Sequence, residues 1–93
     1  MPADGRKRAH VRVRGRVQGV FFRAELRERA RSRRLAGWVR NNPDGTVEAV
    51  LEGPAEGVES VLAWCGRGPA GAEVDDVEVD WESPDDEQGF SVR

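Results

Sequence analysis

"LAGWVRNNPDGTVEAVLEG", residues 35–53, reads as two strands joined by a tight turn. Pro43 presets one turn torsion, and Asp44-Gly45 supplies residues that tolerate positive φ. In the second strand Val47, Ala49 and Leu51 share one side and Glu48 and Glu52 the other, the pattern of a sheet with one face covered and one wet. The hairpin occupies the middle of the chain, so the rest is fitted around it.

Upstream, "HVRVR" at 10–14 alternates valine and arginine, as a half-buried strand does. From Phe22 to Arg34 there is no Gly or Pro, and Phe22, Leu26 and Ala30 recur every four positions. That spacing predicts a helix with one narrow apolar stripe and arginine-rich outer faces. Downstream, residues 54–66 open on proline and acidic residues, which suit a helix N-terminus, and then place Val58, Val61, Leu62 and Cys65 along one face. "VDDVEVDW" alternates through Val77, Val79 and Trp81, and "GFSVR" predicts a short last strand. Two βαβ units around a central hairpin predict an α+β, ferredoxin-like βαββαβ sandwich, an antiparallel sheet with both helices on one face. That architecture hosts enzymes, RNA binders and regulatory modules, so it names no function. A single domain over residues 1–93 is expected, with residues 1–6 as a flexible N-terminal extension.

The chain of 93 residues, 38% hydrophobic, is long enough to bury one core. Its single cysteine, Cys65, excludes an intrachain disulfide and a cysteine zinc cluster. No apolar run approaches the roughly 18 residues of a membrane span, and no apolar segment follows the basic start as in a signal peptide. A soluble, cytoplasmic protein without membrane association is expected. The net charge of −2 hides an asymmetry: residues 1–40 hold 13 Lys and Arg against 3 Asp and Glu, and residues 41–93 hold 2 against 14. In one compact domain these halves interleave, so the arginines are expected to meet the acids across the folded surface.

Residues 15–23, "GRVQGVFFR", join the first strand to the first helix. Such a junction can aim successive backbone N–H groups and the positive end of the helix dipole into a concavity, an anion nest. Gly15 and Gly19 would give the torsions and close approach it needs, and Arg23 on the first helical turn a forked guanidinium for two phosphoryl oxygens. A plain strand-to-helix turn explains the glycines equally well. The spacing is neither a Walker A loop nor a dinucleotide fingerprint. Asn41 reads either as a cap of the Pro-Asp-Gly turn or as a polar group on the helix-covered side of its strand, if Val39 faces the helices. Asn42 is assigned to the turn.

Other conspicuous residues have structural explanations. His10 suits a surface or strand-edge position, Cys65 the core, and Trp38, Trp64 and Trp81 packing, with Trp38 able to border a pocket beside Asn41. The acids of "VDDVEVD" alternate onto the outer face of a strand without a compact metal-binding loop.

"GRVQGVFFR" and "GWVRNNPDGTV" (37–47) together resemble the two signature segments of the acylphosphatases, hydrolases of the carboxyl-phosphate bond. "AHVRVRG", "VEAVLEGP", "GPAGAEVDDVEV" and "FSVR" extend the similarity over nearly the whole chain. The resemblance implies a phosphate-binding loop of Gly15, Arg16, Val17, Gln18, Gly19, Val20 and Phe21. It also implies a catalytic arginine at Arg23 and an asparagine at Asn41 that positions the attacking water. It further implies the ferredoxin-like fold, no metal or cofactor, and small acyl phosphates as substrates with inorganic phosphate as product. A monomer that does not bind nucleic acid is expected. The competing classes are an RNA-binding ferredoxin-like module, which should carry aromatic rings on the sheet where "TVEAVLE" has none, and a non-catalytic domain of the same family.

Overall fold

The alternating and helical segments condense into seven elements in the computed structural model, which describes residues 5–93. They are β1 (Arg6–Arg16), α1 (Phe22–Ser32), β2 (Ala36–Asn41), β3 (Val47–Pro54), α2 (Ala55–Cys65), β4 (Glu73–Glu82) and β5 (Phe90–Val92). The sheet order is β4-β1-β3-β2-β5. Both helices pack on one face and against each other, α1 over β2, β3 and β5, and α2 over β1 and β3. This is the expected ferredoxin-like α+β sandwich.

Register decides which residues meet the helices. Val13 pairs with Val47, Val11 with Ala49 and Ala9 with Leu51, while Val39 of β2 pairs with the other side of Ala49. These apolar side chains close against Phe22, Leu26, Ala30, Val58, Val61, Trp64 and Cys65 in one core. Phe22 and Trp64 touch with ring centroids 5.0 Å apart. Burial pushes the Cys65 thiol up to about 12, so it is a packing group without thiolate reactivity.

Several expectations shift. The sheet is antiparallel over four strands, but β5 lies parallel to β2. The chain reaches that far edge by crossing the outer face, where the backbone N–H groups of Asp85 and Glu87 donate to the Glu52 carboxylate at 3.0 and 3.2 Å. Central β3 is consequently buried on both faces, and Glu48 and Glu52, expected on a wet side, are 4% and 0% exposed. Helix α1 ends at Ser32, two residues before the expected Arg34, which itself has φ 60°. The Leu35 N–H donates to Ala30 and the Arg34 N–H to Arg31, closing a Schellman end with arginine where glycine is usual. Of the expected flexible extension, residues 1–4 lie outside the described residues. Arg6 instead already pairs with Pro54, and Gly5 accepts a bond from the Ala55 N–H.

Candidate active site

The "GRVQGVFFR" junction folds in three steps, each with a different cause. The ladder between β1 and β4 shifts register between Arg14 and Gly15. A Cβ at Gly15 would sit 2.1 Å from the Glu73 carbonyl oxygen. Gly15 is therefore required by the approach of β4, rather than by the approach of an anion, and Arg16 continues β1 opposite Glu73. Val17 then plunges into the core and pins the start of the loop. Gly19 follows with φ 76° and open space around it, so its conformation, not crowding, selects glycine. Val20 packs against the core from the side, and Phe21 takes the left-handed region at φ 63° with its ring 82% exposed. An aromatic residue there costs on the order of 1–3 kcal/mol, strain of the kind found at ligand clamps.

The outcome is a run of open donors. The first backbone hydrogen bond of α1 is Glu25 N–H to the Phe21 carbonyl, and among the described residues none of the N–H groups from Gln18 to Ala24 donates to an acceptor. They stand at the positive end of α1. The Gln18 side chain does not join them. Its Nε2 donates to the carbonyls of Asn42 at 2.8 Å and Thr46 at 2.9 Å, tying this loop to the β2–β3 turn.

Across that tie sits Asn41, the last residue of β2. It pairs with Val47 and shares the helix-covered side with buried Val39. The turn is held without it: the Asn42 N–H donates to Thr46 at 2.9 Å, Asn42 Nδ2 donates to Thr46 Oγ1 and Glu48, and Asp44 Oδ1 accepts from the Thr46 N–H and hydroxyl. Asn41 Oδ1 is buried with no hydrogen-bond partner. A buried acceptor left open costs about 1–3 kcal/mol, so turn-capping does not account for Asn41.

Arg23 and Asn41 line one cavity of about 460 Å³, with Val17, Gly19, Phe21, Phe22, Ala24, Arg27 and Val92 completing its wall. No carboxylate contributes to that lining. Of the residues singled out in the sequence, Val17, Gly19, Phe21, Arg23 and Asn41 converge here, while Gly15, Arg16, Gln18 and Val20 support the loop from outside the cavity. Arg27 and Val92 were not foreseen. Arg27 was legible in principle, one helical turn after Arg23. Val92 was not, because only the parallel pairing of Val39 with Val92 brings β5 to the site. Trp38 is a buried packing group as expected but does not border the cavity: odd and even positions of β2 face opposite ways, so it lies on the outer face, edge-on to His10 at 5.8 Å and beneath Arg40 and Arg93. His10, expected at a surface or strand edge, is partly exposed on the outer face of β1, a strand paired on both sides.

Among the described residues, no cluster of three or more His, Cys, Asp or Glu is placed to hold a metal ion, and no helix is long and apolar enough to cross a membrane.

Comparison with known proteins gives this geometry its context. A family model described as acylphosphatase matches residues 9–92. An acylphosphatase of Natronomonas pharaonis is 52% identical over 88 residues, covering 95% of this chain and 96% of the relative. One from Thermococcus kodakarensis is 54% identical, covering 94% and 96%. The solved structure of an acylphosphatase from Coxiella burnetii superposes over the full length of both chains with a TM-score of 0.93 at 36% identity. Family match, relatives and fold agree, and the chain belongs to the acylphosphatases, hydrolases that act on acyl phosphates.

Proposed function

We propose that this chain hydrolyses small acyl phosphates without a metal, by in-line attack of a water held by Asn41 on a phosphoryl group held by the 15–21 loop and Arg23. The observation that carries the reading is the meeting, at one acid-free cavity, of a run of unpaired backbone donors, a guanidinium and a buried amide oxygen lacking a partner. Within the loop, the N–H groups of Gly19 and Phe21, with those of Phe22 and Arg23 at the start of α1, bind the phosphoryl oxygens, and Gln18 and Val20 hold the loop's shape. Gly15, Arg16 and Val17 fix the loop's path.

The chemistry asks little more. An acyl phosphate is a mixed anhydride whose carboxylate leaves unaided, so no strong general acid is required. Charge gathers on the phosphoryl oxygens, where the loop N–H groups, the helix dipole and the Arg23 fork stabilise it. Asn41 Oδ1 accepts a hydrogen bond from the attacking water and aims its lone pair at phosphorus. The water oxygen bonds to phosphorus as the bond from phosphorus to the acyl oxygen breaks. The water's protons end on inorganic phosphate, and the acyl group departs as carboxylate. Gln18 keeps the phosphate loop and the end of β2 in fixed relation, which in-line geometry demands.

The protein is expected to act as a monomer in the cytoplasm. It is not expected to bind nucleic acid, a reading supported by an outer sheet face on which the Trp38 ring is covered by two arginines and so is not open for base stacking.

The test is benzoyl phosphate hydrolysis in EDTA by the wild type and by folded R23A and N41A variants. Turnover that survives chelation and falls about 10²- to 10³-fold in each variant is expected. An inert wild type, or variants at full rate, would reduce the loop to a scaffold.

A further inference from the structure

Helix α1 carries a second guanidinium into the cavity. Arg27 lies one turn beyond Arg23, roughly 6 Å along the axis, and lines the same wall. Its Nε is buried with no hydrogen-bond partner, and among the described residues no carboxylate pairs with it. Its neighbours on the helix behave otherwise: Arg29 pairs with Glu25 at 3.7 Å and lies over Trp64, and Arg31 donates to the Phe90 carbonyl. Two like charges four residues apart on one helix repel, and a purely structural design would place an acid between them. The cavity wall has none.

The space also exceeds what one phosphoryl group fills. Of about 460 Å³, the phosphoryl group occupies only part, which leaves room in the same cavity for the acyl part. We propose that Arg27 is a specificity-determining residue that binds a second anionic group on the acyl side of the substrate, so that the preferred substrates are acyl phosphates whose acyl part itself carries a carboxylate or phosphate. This rests on the acyl phosphate reading above. A forked guanidinium already partly desolvated gives a charge-assisted pair with such a group, and without one its buried Nε stays open.

The test compares benzoyl phosphate with 4-carboxybenzoyl phosphate, which share the reacting group and the ring. The wild type is expected to favour the carboxylated substrate in kcat/KM, chiefly through KM. R27Q is expected to reduce that preference about 10- to 100-fold, the range for a hydrogen bond to a charged group, and R27K to retain part of it. A wild type with equal or lower kcat/KM for the carboxylated substrate overturns the proposal without any variant, which covers the case of R27Q failing to fold. So does an R27Q variant that slows both substrates by the same factor. A wild type that hydrolyses benzoyl phosphate but shows no preference defeats only the role of Arg27. One that hydrolyses neither defeats the acyl phosphate reading and this proposal together.

Discussion

The two faces of the sheet use arginine in opposite ways. On the outer face Arg8 reaches Glu52 and Glu82 at 2.8 Å and Glu87 at 3.3 Å, Arg14 reaches Glu78, and Arg12 and Arg40 both reach Glu48, which also meets His10. At the cavity, Arg23 and Arg27 share a wall without acids, beside open backbone donors and an open amide oxygen. The first arrangement satisfies its charges internally and holds the fold. The second leaves its capacity for a ligand. Carboxylate pKa values follow the same division. Burial alone would raise Glu48, but hydrogen bonds from His10, Arg40 and Asn42 outweigh it and hold the carboxyl down to about 2. For Glu52 burial again opposes, and the backbone N–H groups of the 83–89 crossing together with Arg8 keep it below the usual range.

Substitutions can break or sharpen this division. The largest effect belongs to the cavity: R23A and N41A should lose about 10² to 10³ in kcat/KM, about 2.7–4 kcal/mol, while neither loses stability by urea unfolding and N41A gains up to about 1–3 kcal/mol. Replacing Asn41 removes an acceptor that has no partner to lose. Next, R8A strips a buried carboxylate of its main side-chain partner and should cost about 3 kcal/mol of stability with kcat unchanged. A fall in kcat matching that of R23A would show the two faces are not separate.

The third effect is a pH dependence. The Glu48 pKa is depressed from 4.5 to about 2, so its contribution is present above pH 4.5 and is lost as pH falls through about 2. On the order of 3 kcal/mol is at stake, and E48Q should flatten the stability profile across that window while lowering stability near neutrality. Unchanged slopes in urea unfolding from pH 6 to pH 2 would remove Glu48 from the account. Smallest is Q18A, which removes the donor bridging the Asn42 and Thr46 carbonyls. About 1 kcal/mol of stability should go, because both carbonyls keep a backbone donor, yet kcat should drop measurably as the loop loosens from Asn41. Full activity in Q18A would make the tie purely structural.

Much of this was readable along the chain. Alternation in "HVRVR" and "TVEAVLE" and the four-residue stripe Phe22–Leu26–Ala30 gave strands, helix and inward faces correctly, since side-chain period follows directly from backbone geometry. The parity placing Asn41 with Val39 rests on the same rule. The end of α1 was not readable, because Arg34 takes the left-handed position that sequence reading assigns to glycine. Gly15 has the positive φ that the sequence reading asked of it, but its close neighbour is Glu73, 58 positions away, and no local pattern reports a strand bulge against a distant backbone.

The sequence by itself determined the order of elements, the hairpin turn, the core stripes and, through two motif segments, five of the residues that meet at the cavity, Val17, Gly19, Phe21, Arg23 and Asn41. Those depend on interactions within a few residues, or on a match that carries the whole fold with it. Tertiary structure alone decided that β3 is buried on both faces, that Trp38 points away from the site, that β5 runs parallel to β2 and delivers Val92, and that Arg27 stands without a partner. Each of these depends on which distant segment lies alongside, and one-residue parity or a crossing loop settles it only once the sheet has assembled.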